Sequence, residues 1–323
     1  MKNIILTLLS IPKVGKKSVG YFIKYMQEIP KNENDIIDIF IDIKNDNKRI
    51  KVPTLEEVKL AYERAEKIVS LSKKQNIETI DILHKDFPKK LKLIENAPQV
   101  LFYKGNYNAI INENTLAIIG SREASKEGQK NAYEMAYLFA KENYSIISGL
   151  AMGCDTYAHK GCLDANGMTV GVLSSGLDTM YPIQNRELAE RIIENNGCLL
   201  SEYPIGFTSF KNNFIERDRI ESGLSLGTIV IEANIKSGTM HTANFTLEQE
   251  RVLACFNINK SGNKFLLEND KAISINGKED MPKIKYQLEK VKDRLENKKG
   301  DILWNLKMLF KTDIHVKIFL HNK

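Results

Sequence analysis

The sequence predicts an α/β fold built on a parallel sheet, with a small helical domain before it and a basic helical extension after it. Three observations carry this. Apolar runs of strand length recur at 116–119, 145–147, 169–173, 228–231 and 252–256, with helix-periodic segments between them. The runs are apolar throughout rather than alternating, as in strands covered on both faces. The composition, 323 residues with 42% hydrophobic and 27% charged, is that of a soluble chain long enough for about two domains. It excludes a disordered, collagen-like or purely coiled-coil chain.

The helical domain is assigned to residues 1–75. Leu6, Leu8, Leu9 and Ile11 lead into Pro12-Lys13-Val14-Gly15-Lys16-Lys17, and Val19, Tyr21, Phe22 and Ile23 follow. Two short helices about a tight basic turn resemble a helix-hairpin-helix phosphate contact, with Lys13 where the first glycine is usual. A plain helical bundle is the other reading. Residues 30–50 are rich in Asn, Asp and Lys and read as a loop or insertion. Thr54-Leu-Glu-Glu57 is a capping box opening a helix whose apolar face is Leu55, Val58, Tyr62, Ala65 and Val69. A connecting segment from Phe87 to Gly105 then enters the sheet domain, assigned to 76–280. Its first helix follows Lys126 and carries Ala132, Met135, Ala136, Phe139 and Ala140 on one stripe. Residues 281–323 place Ile284, Leu288, Val291 and Leu295 on one helical face, then a Lys-rich end with no winged-helix pattern.

Charge is unevenly spread. The net +6 divides into +5 over 1–114, −5 over 115–259 and +6 over 260–323. The total is too mild to demand a nucleic-acid partner, so the position of the few arginines in the acidic block matters more. The four cysteines form no CxxC pair and no disulfide or zinc pattern, which points to a reducing cytoplasm. No apolar run reaches the ~18 residues of a membrane span, and the N-terminus lacks the charge order of a secretory signal. No metal cluster and no cofactor fingerprint is evident.

In a parallel sheet, ligands bind beyond the carboxyl ends of the strands. There the sequence places Gly120-Ser121-Arg122, Ser148-Gly149 with Gly153 four residues on, Ser174-Ser175-Gly176 before Tyr181-Pro182, and Ser237-Gly238-Thr239 after Glu232. Each turn alone is more often tight packing than a ligand contact. Four at one sheet edge describe amides and hydroxyls facing a phosphate-rich partner. A further segment, Lys211 to Ile220, adds Phe214, Arg217 and Arg219. Two readings stand: Phe214 stacks on an unpaired base while Lys211 and the arginines hold phosphates, or Phe214 is core and the arginines pair with Glu216, Asp218 or Glu221.

The motifs "IIGSRE", "SGLAMGCDTYAHKGCL", "VLSSGLDTMYPIQNREL", "LLSEYPIG", "FIERDRIESGLS", "IVIEANIKSGTMHTA" and "ERVLACF", with the lead-in from Phe87 to Asn106, together resemble the DprA/Smf family in order and spacing over about 80–275. That resemblance implies a Rossmann-like domain binding single-stranded DNA without sequence preference. It also implies a homodimer that protects incoming strands in natural transformation and loads a RecA-type recombinase. The family pocket falls on Ser121, Arg122, Gly149, Lys211, Phe214, Arg217 and Arg219. Gly120, Ser148, Ser237, Gly238 and Thr239 complete the DNA- or phosphate-binding set read from the strand ends. No catalytic residue is assigned. The sequence departs from the family pattern at Asp218, where Asn is usual between the two arginines, and at Met152, Ile215 and Cys255-Phe256-Asn257. The alternative is a nucleotide-sensing or phosphoribohydrolase-like protein using Glu232, although the full hydrolase signature is missing.

Overall fold

The computed structural model describes residues 3–297. Four helices come first: α1 (Ile4–Ser10), α2 (Lys16–Tyr25), α3 (Glu33–Asp46) and α4 (Leu55–Lys74). The turn before α2 holds Lys13 at φ 68°, a left-handed conformation that suits glycine. The capping box at Thr54 forms, the Thr54 hydroxyl accepting from the Glu57 amide and the Glu57 carboxylate from the Thr54 amide. Val58 and Ala65 of α4 are buried, whereas Leu55 is 41% exposed.

Residues 30–50 are not a loop. Asn32 caps α3 through the Asn34 and Asp35 amides, and Ile36, Phe40 and Ile43 are fully buried along one face. The Asn/Asp/Lys content covers only the outer face, and three large apolar residues at i, i+4 and i+7 suffice to pack the helix.

The rest of the chain forms one nine-stranded sheet in the order β1-β2-β6-β5-β4-β3-β7-β8-β9. Its strands are β1 (Glu78–Asp81), β2 (Val100–Gly105), β3 (Thr115–Ile119), β4 (Ser145–Ser148), β5 (Thr169–Leu173), β6 (Cys198–Ser201), β7 (Gly227–Val230), β8 (Val252–Phe256) and β9 (Ile273–Ile275). β1, β2 and β6 pair antiparallel, and every other neighbour is parallel. The segment leading into the sheet domain is thus itself an antiparallel edge. Short helices α5 (Lys89–Lys92) and α6 (Asn108–Ile111) flank β2.

Helices α7 (Lys126–Lys141), α8 (Cys154–Asp164), α9 (Arg186–Glu194), α10 (Lys211–Leu224), α11 (Thr239–Glu248) and α12 (Ser261–Glu268) connect the parallel strands. The period of two sends neighbouring side chains of β3 to opposite faces. Leu116 and Ile118 pack with Ala132, Met135 and Phe139 of α7, whereas Ala117 packs with Ile220 and Leu224 of α10. The last described helix, α13 (Met281–Asn297), lays Ile284, Leu288, Val291 and Leu295 against the core on the α7 side. The remainder of the extension, 298–323, lies outside the described residues. Among the described residues no helix is long and apolar enough to cross a membrane.

The strand order reverses at β3, with β4 on one side and β7 on the other. Loops leaving the carboxyl ends of β3, β4 and β5 therefore meet at one rim, where such sheets hold ligands.

Candidate functional site

A small cleft of about 70 Å³ opens at that rim, lined by Arg122, Gly149, Ala151, Met152, Leu173, Ser174, Tyr181, Pro182, Phe214 and Arg217. Arg122 comes from the loop after β3 and is exposed; Phe214 comes from the first turn of α10. The Arg122 guanidinium lies 5.3 Å from the Phe214 ring centroid. A contact of this kind contributes about 0.5–2 kcal/mol. Tyr181, 56% exposed, meets the same ring edge-on with centroids 5.9 Å apart. Lys211 stands exposed at the start of α10, three residues before Phe214, with no acidic partner among the described residues.

Arg217 forms the floor. It is 6% exposed, and its guanidinium donates to the carbonyls of Gly149 and Val172, tying the ends of β4 and β5 together. Its Nε lies 3.2 Å from both Asp218 Oδ1 and Glu221 Oε1. Burial alone would lower its pKa, but Glu221, Asp218 and Asp155 outweigh that and raise it. Burial raises the pKa of all three carboxyls despite the guanidinium, Asp218 to about 6. Asp218, the departure from the Arg-Asn-Arg pattern, thus ties down the arginine before it.

The close fit explains Gly149. A Cβ there would stand 2.4 Å from Arg217 Nη1 and 2.5 Å from Glu221 Oε1. Its amide donates to Asp155 Oδ2, as does that of Ala151.

The structure does not bring every sequence-marked residue into the cleft. Arg219 is buried, donating to Asn96 and Glu216 carbonyls and pairing with Glu202 Oε2 at 2.7 Å. Gly120 packs under Cys154, and the buried Ser148 hydroxyl donates to the Ile118 carbonyl. Ser121 sits at the rim, its amide donating to the Glu232 carbonyl and its hydroxyl accepting from the Glu123 amide. Ser237, Gly238 and Thr239 open α11 and do not line the cleft. Sequence reasoning did not assign Tyr181 to the site. The signal was its place three residues after the Ser-Ser-Gly-Leu-Asp turn that follows β5.

Glu232 fills the crevice between β3 and β7. Its carboxylate accepts from both the Ser125 amide and hydroxyl and pairs with Lys260 at 2.6 Å. Burial would raise its pKa, but these partners hold it below the usual carboxylate range. The amino end of α7, a ready anion site, is therefore occupied by the chain's own carboxylate. His159 is a core group: buried, bonded through Nδ1 to Thr169 Oγ1, with burial pushing its pKa down to about 3.

Residues 78–284, well over half the chain, match the family model for DNA recombination-mediator protein A. The chain belongs to that family. DNA processing protein DprA of Bacillus subtilis is 34% identical over 204 residues, covering 63% of this chain and 68% of its own. Protein Smf of Synechocystis is 39% identical over 169 residues, 51% of this chain and only 42% of the relative. Protein Smf of Borreliella burgdorferi is 32% identical over 240 residues, covering 72% of each. In three dimensions, DNA processing protein A of Streptococcus pneumoniae aligns with a TM-score of 0.69 at 28% identity, over 85% of this chain and 95% of its own. The Helicobacter pylori protein, solved for its unique single-stranded DNA binding mode, aligns with a TM-score of 0.57 at 26% identity, over 69% and 96%.

Proposed function

We propose that the cleft grips an unpaired DNA strand without reading its sequence. The observation that carries this is the Arg122–Phe214 contact, with Lys211 exposed beside it. A phenyl ring accepts any base, and the guanidinium now lying over it and the ammonium beside it can turn to meet the flanking phosphates. In this reading Arg122, Lys211 and Phe214 touch the strand, while Arg217 and Gly149 shape the floor and Arg219 braces α10. The rim hydroxyl of Ser121 stands beside the Arg122 backbone, and Ser237, Gly238 and Thr239 lie off the path. The cellular role proposed with it is protection of single strands in the cytoplasm by a homodimer that hands them to a RecA-type recombinase during DNA uptake. The Helicobacter pylori relative supports the ligand class.

The test is an oligothymidylate titration at rising salt. Affinity falls with a slope set by the phosphates neutralised. Arg122→Ala weakens binding and flattens the slope by about one; Phe214→Ala weakens it by ~1–3 kcal/mol and keeps the slope. No binding at low salt, with release of base from a nucleoside monophosphate, would sink this reading and favour the hydrolase. Glu232 lends the hydrolase no support, since its carboxylate is already committed to Ser125 and Lys260.

A further inference from the structure

Beside the cleft, the segment between β6 and α10 builds a second aromatic group. Tyr203 and Phe207 stack at 4.4 Å with planes 10° apart, and Phe210 meets Phe207 edge-on at 6.4 Å. Phe210 is 68% exposed, the largest exposure among the large apolar side chains described. A single exposed phenyl is ordinary; this one is held in place and joined to the cleft. Its amide donates to Asn213 Oδ1 at 2.8 Å, and Asn213 Nδ2 donates to the Tyr203 hydroxyl at 2.9 Å. The Gly176 amide fastens the Phe207 carbonyl, and the Ser209 hydroxyl bonds that of Ser174, which lines the cleft.

Phe210 precedes α10 by one residue, and Phe214 lies one turn further on. Phe210 is the extended residue that caps α10 (φ −113°, ψ 166°), so the two phenyl rings are carried by the entry and the first turn of the same helix. Lys211 stands between them. The acidic groups around this surface are engaged: Glu202 and Glu216 with Lys16 and Arg219, and Asp178 with the Gly206 amide. Asp178 keeps its charge, but Lys211 pairs with no carboxylate among the described residues and is left to meet a phosphate.

We infer that Phe210, backed by Phe207 and Tyr203, is a second base-stacking station, so that a single strand leaving Phe214 lays a further base on Phe210 with the intervening phosphate on Lys211. This rests on the function proposed above and extends the strand's path beyond the cleft.

The test compares thymidine 5′-monophosphate, which fills the cleft alone, with an oligothymidylate of about twelve nucleotides, within the site sizes of single-strand-binding modules. Phe210→Ala weakens the oligonucleotide roughly five- to a hundredfold, the range expected for one lost stack. It leaves the mononucleotide, seated on Phe214, unchanged. Phe210→Trp restores affinity, and its added fluorescence is quenched by the oligonucleotide alone, above the background of the one native tryptophan. Unchanged affinity of Phe210→Ala for both ligands overturns the second station while the cleft reading stands. An equal loss on both ligands also overturns it. Failure of the unaltered protein to bind the oligonucleotide overturns both.

Discussion

Arg217 and Glu221 stand one turn apart on α10 and meet at 3.2 Å beneath the cleft, both nearly sealed from solvent. The guanidinium also faces Asp218 and Asp155, so it is the one cation set among three buried carboxyls, which burial makes readier to hold protons. Removing one side of a buried charge group is far costlier than the group's net worth, because the partners stay behind uncompensated. Arg217→Met is therefore expected to cost about 3–5 kcal/mol in urea or thermal unfolding. Arg217→Met with Glu221→Gln recovers part of that loss. A single-variant change below about 1 kcal/mol would show that the guanidinium does not hold the floor.

The same cluster sets a pH dependence. The Asp218 carboxyl titrates at about 6 in the folded protein, against 3.8 ordinarily. The folded state thus holds this proton more tightly than the unfolded chain. Between about pH 4 and 6 the folded form binds more protons, so stability from this group rises as pH falls and is lost as pH rises through about 6. Asp218→Asn removes the titration. In pH-dependent melting, the difference between Asp218→Asn and the unaltered protein is expected to grow in the variant's favour from pH 4 to pH 7, by up to about 3 kcal/mol. A flat difference curve would mean that the carboxyl is ionised throughout.

The legible parts of the fold were those where one pattern dominated. The buried parallel strands β3, β4, β5, β7 and β8 are apolar on both faces, and the α7 stripe is regular, so each announced itself, whereas the equally buried four-residue β6 went unread. The edge strands β1 and β9 did not, nor did β2 beside β1, since a short strand at the margin of a sheet need not be uniformly apolar. α3 was hidden because its polar face outnumbers its three buried anchors. In the site, Arg122, Lys211 and Phe214 stood out by residue type at strand ends and a helix start. What spacing alone could not separate was Arg217 from Arg219. Both lie on α10, yet one faces the cleft floor and the other Glu202. That difference is set by the helix's rotation against the sheet, a tertiary fact. Glu232 was likewise ambiguous, because its partner Lys260 comes from beyond β8.

Glu232 carries the third prediction. Its carboxylate closes the amino end of α7, where negative charge is favoured by the helix dipole. Glu232→Gln keeps an acceptor for the Ser125 hydroxyl but loses the charge facing Lys260. The expected cost in thermal unfolding is about 1–3 kcal/mol. Oligonucleotide affinity stays within about twofold, since the group lies outside the cleft. Ser125→Ala, which removes the cap on the Gly128 amide, costs about 1 kcal/mol more cleanly. A Glu232→Gln protein with unchanged stability but abolished base release from a nucleotide would reverse the assignment and make the carboxylate chemical rather than structural.

The turn before α2 yields the last prediction. Lys13 holds φ 68° on an exposed turn, a conformation that costs a residue with a Cβ about 1–2 kcal/mol. Lys13→Gly relieves that cost, offset by the greater backbone freedom glycine has in the unfolded chain, about 0.5–1 kcal/mol. The net expectation is a gain of up to about 1 kcal/mol in denaturant unfolding. The same variant asks whether this turn meets phosphate. If the helical hairpin contacts nucleic acid, deleting Lys13 lowers the salt slope of strand binding by about one. If α1 and α2 form only a packed bundle, stability rises and the slope is unchanged. Destabilisation by Lys13→Gly would contradict the left-handed turn itself.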